Sequence, residues 1–527
     1  MIRNKVFFLI LFLTSCLYTF GQTEVVADTL PDPQKEQVKA MVSTVEFYFN
    51  LLGSKRTTTQ EKETIINESY QKLFLNDRVQ IEDDLQEGRS TQIFKDVQAY
   101  LKDVDFFFEQ AVFKFEVDTV ERLYTTDSVP YFKAEILRNL TAIDLNGDTL
   151  AITGQRFMEF NLDGPKGEMK VVSMYSNKID RSKQLKFWWL NLSVGWRKIF
   201  QDEIGIYDDS LTVDELTRIA EMDSLDLTDN DQIISLDPIY VLTDLAYLKL
   251  TNSFISDLSP LRSITRLKVL DVSQSSIHDL SNLKYHTDIE QMILFNSHIT
   301  DFSVLETFGK LKYLDLRGAQ AVNLDFIGRL KSLSNINLSG ASGTSQIDFS
   351  DLENLSFLNL EGSDISSLDG FENLTQLRKL NLASTQVKSI VNLSSLGSLV
   401  TLNISNTEVG DILPVSRLKS LVKLDVNGLS LEKAQIDGFI EGSNALLVRR
   451  TEELSAWWSG LSFEWKTVFA DLLELPDPTA EELVRLLSLK SLDASNSGIK
   501  SLEPLSILTK LSVLDVSNNN VKSLKGI

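Results

Sequence analysis

One interval constrains this chain more than any other feature: a leucine core that recurs almost on a ruler. Its first residue falls at Leu225, Leu248, Leu270, Met292, Leu314, Ile336, Leu358, Leu380, Leu402 and Leu424, a first step of 23 residues and later steps of 22. The template is visible in Leu245-Ala-Tyr-Leu248-Lys-Leu250-Thr-Asn-Ser253-Phe-Ile255-Ser-Asp-Leu258-Ser-Pro-Leu261. A fixed period of this size is the mark of a solenoid, in which one supersecondary unit is stacked on copies of itself.

Leu248 and Leu250 alternate with Tyr247, Lys249 and Thr251, so a short strand turns its leucines into the coil. Ile255, Leu258 and Leu261 line the return path. The Ser253 column is Asn230, Ser275, Ser297, Ser363, Thr385 and Thr407 in other coils, and it can hydrogen-bond the backbone where the ladder has ended. No coil buries its leucines alone, so each needs a neighbour. Ten coils about 4.8 Å apart predict a parallel sheet on the order of 45 Å across.

The stretch 222–431 resembles the bacterial internalin-like leucine-rich repeats, whose unit is also 22 residues. The likeness resumes at 486–527, where Leu492-Asp-Ala494 and Leu514-Asp-Val516 give two further cores. The resemblance implies an α/β solenoid and a binding role, and no chemistry.

Before the repeats the chain changes character. In residues 1–22, Arg3 and Lys5 precede the apolar run Val6–Leu13, and Thr19-Phe-Gly21 offers small residues for cleavage before Gln22, as in an export signal. A rival reading takes Leu13-Thr-Ser-Cys16 as a lipoprotein box, with Cys16 acylated. The run is too short to span a bilayer. Cys16 is the only cysteine, so no disulfide within the chain is possible and stability must come from packing. These features predict an extracytoplasmic location: periplasm, cell surface or medium. A net charge of −22 argues against nucleic acid and against a basic membrane-surface role.

Residues 23–180 carry no repeat and read as a small α+β domain. Val38, Met41, Val42, Val45, Phe49 and Leu52 keep helical spacing up to Gly53. Thr58 and Glu61 form a capping box for a second helix through Leu73, and Ile93 to Val104 mark a third. The period then becomes two at Phe113, Phe115 and Val117. Asn146-Gly147 turns a hairpin between 134–143 and 149–162, and the turn 163–167 precedes a strand over 169–175. Helices followed by a curled antiparallel sheet are similar to the cone-shaped nuclear-transport-factor-2-like folds, which often hold a pocket and include enzymes. The domain has no histidine or cysteine, and nothing marks its Asp or Tyr residues as catalytic.

All six tryptophans belong to two copies of one motif, 269 residues apart: Trp188-Trp189 with Trp196, and Trp457-Trp458 with Trp465. Apolar spacings of three and four predict an amphipathic helix at each copy. Each precedes a leucine-repeat coil, where a solenoid needs a cap over its apolar end; a platform for stacking sugars or bases is the alternative. The expected organisation is therefore a signal (1–22), the α+β domain (23–180), a Trp-rich cap (181–221), a ten-coil array (222–446), a connector with a second cap (447–485) and the start of a second array (486–527). The sequence ends at Ile527 partway through a coil, which suggests either a fragment or an end covered by a partner.

Signatures of catalysis are lacking. His278, His286 and His298 match no zinc spacing, even with Asp279 and Asp301 beside them. Gly164-Pro-Lys-Gly167 lacks the phosphate-loop pattern, and Asp144-Leu-Asn-Gly-Asp148 departs from calcium-loop spacing. No cofactor or metal is predicted. What remains is the concave sheet face. Its middle column reads Asp226, Lys249, Asp271, Ile293, Asp315, Asn337, Asn359, Asn381, Asn403 and Asp425, a polar ladder whose asparagines are placed to bond one another along the stack. Larger side chains interrupt it at Tyr247, Ile293, Phe295, Tyr313, Arg317 and Phe357. Aromatics with arginine are the usual anchors of interfaces, so these six are the candidate partner-binding residues, although scattered surface apolars would look the same. The expectation is a non-enzymatic scaffold for a protein partner, with carbohydrate as the second ligand class. The rival is an enzyme or small-molecule receptor whose pocket lies in 23–180.

Overall fold

The computed structural model describes residues 33–526 apart from 87–91, 164–166, 179, 209 and 321–322. The expected export signal, Cys16 and most of Gly164–Gly167 lie outside the described residues. The chain divides into two compact units between Gln184 and Leu185.

The first unit holds helices α1 (Pro33–Leu52), α2 (Thr59–Asn67) and α3 (Val97–Phe107). Its strands are β1 (Gln80–Glu82), β2 (Phe94–Asp96), β3 (Phe108–Tyr124), β4 (Pro130–Asp144), β5 (Thr149–Asp163) and β6 (Glu168–Tyr175). They form one sheet in the order β2-β1-β6-β5-β4-β3; β3 to β6 are an antiparallel meander and β1 joins β6 in parallel. Val38, Val42, Val45, Phe49 and Leu52 are the buried stripe of α1. Phe49 meets the rings of Phe113 and Tyr100 at 5.2 and 5.6 Å.

Strand β3 is a sheet edge, and α1 satisfies it. The Asn50 amide donates to Phe113 O (2.9 Å) and accepts from Phe113 N (2.7 Å), and Glu46 accepts from Phe115 N (2.6 Å). The N–H of Ala111 donates to Gly53 O at 2.9 Å. A Cβ at Gly53 would lie 2.3 Å from the Ala111 carbonyl oxygen, so only glycine permits this approach.

Two helices differ from the expectation. The capping box of Thr58 and Glu61 is present, but α2 stops at Asn67 and a 3-10 turn occupies Ser69–Lys72. The backbone at Leu73 and Leu75 is taken by Val171 of β6 (2.8 and 3.0 Å), so helix cannot continue there. The third helix begins at Val97, because Phe94–Asp96 pairs with the three-residue strand β1. The Asn146-Gly147 hairpin forms, with Gly147 at φ +87°. Asp144 Oδ1 accepts the N–H groups of Asn146 (2.9 Å) and Asp148 (2.8 Å), which accounts for the acidic spacing without a metal.

The second unit is a leucine-rich-repeat solenoid with a parallel sheet of eleven strands. These are β7 (Ser224–Asp226), β8 (Tyr247–Lys249), β9 (Val269–Asp271), β10 (Gln291–Ile293), β11 (Tyr313–Asp315), β12 (Asn335–Asn337), β13 (Phe357–Asn359), β14 (Lys379–Asn381), β15 (Thr401–Asn403), β16 (Lys423–Asp425) and β17 (Leu446–Val448). Strand β17 lies where the sequence reading placed no coil. Here helix α7 (Lys433–Gly442) replaces the usual 3-10 turn, and Leu447 pairs with Leu424 one residue out of the 22-residue period. A last pair, β18 (Ser491–Asp493) and β19 (Val513–Asp515), repeats the same register.

Each expected Trp helix is two helices, α4 (Arg181–Asn191) with α5 (Val194–Ile204), and α8 (Thr451–Gly460) with α9 (Phe463–Leu473). The break has a local cause: Ser193 and Ser462 cap the second helix of each pair by accepting from Trp196 N and Trp465 N. Short helices α6 (Val213–Ala220) and α10 (Ala480–Leu483) follow, each with a capping box. The indoles explain the choice of tryptophan. Trp188 and Trp196 donate to Pro238 O (2.8 Å) and Ser235 O (3.3 Å); Trp457 and Trp465 donate to Pro504 O and Ser501 O (both 2.9 Å). Each cap thus covers apolar surface and satisfies carbonyls of the coil's return turn.

Candidate partner-binding face

The exposed face of the eleven-stranded sheet is built on two columns that serve the fold. In the middle column, side-chain Oδ1 accepts the backbone N–H two residues on: Asp226 to Thr228, Asp271 to Ser273, Asp315 to Arg317, Asn337 to Ser339, Asn359 to Glu361, Asn381 to Ala383, Asn403 to Ser405 and Asp425 to Asn427, all at 2.9–3.3 Å. The expected bonding of asparagine to asparagine along the stack is therefore replaced by local Asx turns, which catch the N–H groups at the point where the chain leaves the sheet. The residue four beyond each core leucine is left-handed, with φ between +49° and +77°: Asp229, Asn252, Gln274, Asn296, Gly318, Gly340, Gly362, Ser384, Asn406, Gly428, Asn496 and Asn518. Its enrichment in Asn and Gly was readable in the sequence and marks the turn of every coil.

The Ser253 column is only partly engaged. Ser275, Thr385 and Thr407 donate to the carbonyl three residues back at 2.7 Å, and Asn230 accepts from the N–H groups of Gln232 and Ile233. The hydroxyls of Ser253, Ser297 and Ser363 are buried without a protein partner.

Two strands depart from this pattern: β8 carries Lys249 at the Asx position, its ammonium 3.4 Å from Asp226, and β10 carries the one apolar residue of the column. Ile293 occupies the Asx position and offers no acceptor to the N–H of Phe295. Both side chains are half-exposed. Two residues past β11, Arg317 lies over the Phe295 ring at 4.3 Å, and its Nε reaches both oxygens of Asp315 at 2.9 Å. The Asp315 carboxylate is buried, with 1% of its side chain exposed. Burial, and then the Asp315 charge, raise the Tyr313 phenol above its ordinary range, with Arg317 opposing. Ile293, Phe295, Tyr313 and Arg317 thus form one patch on adjacent strands. Phe357 lies in the same row as Tyr313, two strands away across Asn335. Tyr247 is three strands from Tyr313, about 14 Å, and is not part of the patch.

The first unit has its own unusual cluster. Arg138 is wholly buried, and its Nη2 reaches Asp84 O and Oδ2, both at 3.3 Å. Its Nε and Nη1 have no partner. Asp84 also accepts from Arg156 Nε (2.7 Å) and Tyr100 OH (3.0 Å). Burial, then the Asp84 charge, push the Tyr100 phenol well above its ordinary value. Lys95 sits between Asp83 (2.7 Å) and Asp103. None of these residues stood out in the sequence, where Arg138 and Arg156 are 54 and 72 residues away from Asp84.

Among the described residues no helix is long and apolar enough to cross a membrane, and no group of three or more His, Cys, Asp or Glu side chains is arranged to hold a metal. No family model matches the chain, and no curated protein matches it. Solved structures do. An internalin (InlF) from Listeria monocytogenes is 18% identical, covering 63% of this chain and 91% of that one with a TM-score of 0.45. The functional domain of InlJ from the same organism is 18% identical, covering 64% and 72% with a TM-score of 0.42. A leucine-rich-repeat protein from Leptospira interrogans is 17% identical, covering 65% and 88% with a TM-score of 0.35. The solenoid assignment rests on the parallel sheet itself.

Proposed function

We propose that this chain is an exported, non-enzymatic interaction scaffold that binds a protein partner on the concave face of its solenoid, with Ile293, Phe295, Tyr313 and Arg317 as the anchor and Phe357 at its margin. The observation that carries the reading is Ile293. In eight of the ten coils of the column that position serves the coil's own backbone, and in a ninth Lys249 pairs with Asp226; only Ile293 leaves it apolar, two residues before the Phe295 ring that Arg317 covers. Folding gains nothing evident from the exchange, whereas a half-exposed apolar and aromatic patch with a pinned guanidinium suits an interface. Export rests on the composition of residues 1–22. The test is capture of envelope and extracellular proteins by the whole mature chain and by its Phe295→Ala/Tyr313→Ala variant. A partner taken by the first and lost by the second supports the scaffold; one retained equally by both refutes this patch as its anchor.

A second reading is favoured by one specific observation, the two unpartnered N–H-bearing atoms of buried Arg138. It takes the first domain as a small-molecule receptor of the nuclear-transport-factor-2-like cone type, a resemblance supported by three helices set on a long antiparallel meander. A small molecule retained by purified protein in native mass spectrometry, and lost in Arg138→Met, would move the function to that domain.

A further inference from the structure

The chain has three histidines, and coil stacking brings two of them together. His278 follows Ile277 in the third coil and His298 precedes Ile299 in the fourth. Both are exposed, and their ring centres are 5.6 Å apart with the planes at 61°. The third, His286, is buried and bonds the carbonyls of Leu261 and Ile264, both at 3.0 Å, so it belongs to the core.

Two details of the exposed pair suit a metal. His298 Nδ1 lies 3.3 Å from the Ser275 carbonyl. A carbonyl only accepts, so this contact places the proton on Nδ1 and leaves the Nε2 lone pair for a ligand, the usual arrangement of metal-binding histidine. The separation is the second detail. A Zn–N bond of about 2.05 Å, with about 1.1 Å more to the ring centre, puts each centre about 3.2 Å from the metal. Two such rings stand about 5.2 Å apart at a tetrahedral angle and about 5.5 Å at 120°. The observed spacing is close to the upper figure.

We propose that His278 and His298 form a two-imidazole site for a borderline divalent transition metal of the Zn²⁺, Cu²⁺ or Ni²⁺ class. Neighbouring carboxylates do not complete it. Asp279 is engaged by Ser281 (2.8 and 2.6 Å) and Asp301 by Ser303 (2.9 Å), each opening a return turn. The metal therefore keeps open positions, which water fills in the free protein. His298 follows Phe295 by three residues across the left-handed turn at Asn296, and the site shares no residue with the candidate anchor.

The test is calorimetric titration of the untagged mature chain with zinc chloride, paired with electron paramagnetic resonance of the Cu²⁺ complex. The expected result is one Zn²⁺ per chain, binding at least about tenfold more weakly in His278→Ala and in His298→Ala, and a Cu²⁺ spectrum with two nitrogen ligands. Both side chains are exposed, so the thermal transition of the variants should match the parent and exclude misfolding. The site is refuted if the double alanine variant binds Zn²⁺ within about twofold of the parent, if no Zn²⁺ binds up to about 1 mM, or if Cu²⁺ shows fewer than two nitrogens.

Discussion

The two units of this protein stabilise their interiors in opposite ways. The solenoid core is almost entirely Leu, Ile, Val and Phe, and at its strand ends most backbone N–H groups are caught by a side chain two residues away, as in the Asx column. The first unit buries ion pairs, among them Arg138 and Arg156 on Asp84, 54 and 72 residues away, and Lys95 between Asp83 and Asp103 on neighbouring segments. Repetition permits the first solution, because every coil meets a copy of itself and local bonding suffices. A single irregular domain has no such neighbour, and its buried polar groups must find one another across the fold. The units should therefore respond differently to the loss of one group.

All six tryptophans lie in the solenoid caps, so tryptophan fluorescence follows the second unit while far-UV circular dichroism follows both. Asp84→Ala should have the largest effect, costing the first unit about 3–5 kcal/mol by leaving the buried Arg138 guanidinium and the half-buried Arg156 guanidinium without their carboxylate. The dichroism transition should split, with the fluorescence midpoint unmoved; a shift in fluorescence would break the comparison. Leu358→Ala, in a wholly buried column, should cost about 3 kcal/mol and lower the fluorescence midpoint in urea. Trp465→Phe removes the indole donor to Ser501 O and part of a buried ring stacked on Phe469, so a loss of about 2 kcal/mol is expected, read by urea denaturation. Gln274→Gly sharpens the comparison in the other direction. It relieves a left-handed residue at φ +54° and should raise the fluorescence midpoint slightly, by about 0.5–1 kcal/mol.

Much of the solenoid was legible because its determinants are local and repeated. The core leucines and the two tryptophan-rich helical segments follow from spacing alone, whereas only the structure shows that part of the Ser253 column bonds the turn and part does not. The eleventh strand was not legible, since α7 shifts its leucine by one residue and removes the polar turn signal. In the first unit, α1 and the Asn146 hairpin were readable for the same local reason. Strands β1 and β2 were not, because three residues carry no period and their pairing is set by each other and by β6. The candidate face shows the same division. Its six residues were visible as interruptions of the polar face, and coil spacing already set Tyr247 apart from the four in adjacent coils, but sequence could not show Arg317 resting on Phe295.

By itself, then, the sequence determined that this chain stacks 22-residue coils with leucines inside, a polar middle column on the open sheet face and tryptophan-rich helices before each array. Each of these is a preference that acts within a few residues and is reinforced by every repeat. Only the tertiary structure decided which distant groups share a site: Asp84 with Arg138 and Arg156, Phe295 with Arg317, and His278 with His298. Those meetings depend on the register of whole strands and coils, which is fixed by the summed packing of the core and by no single residue.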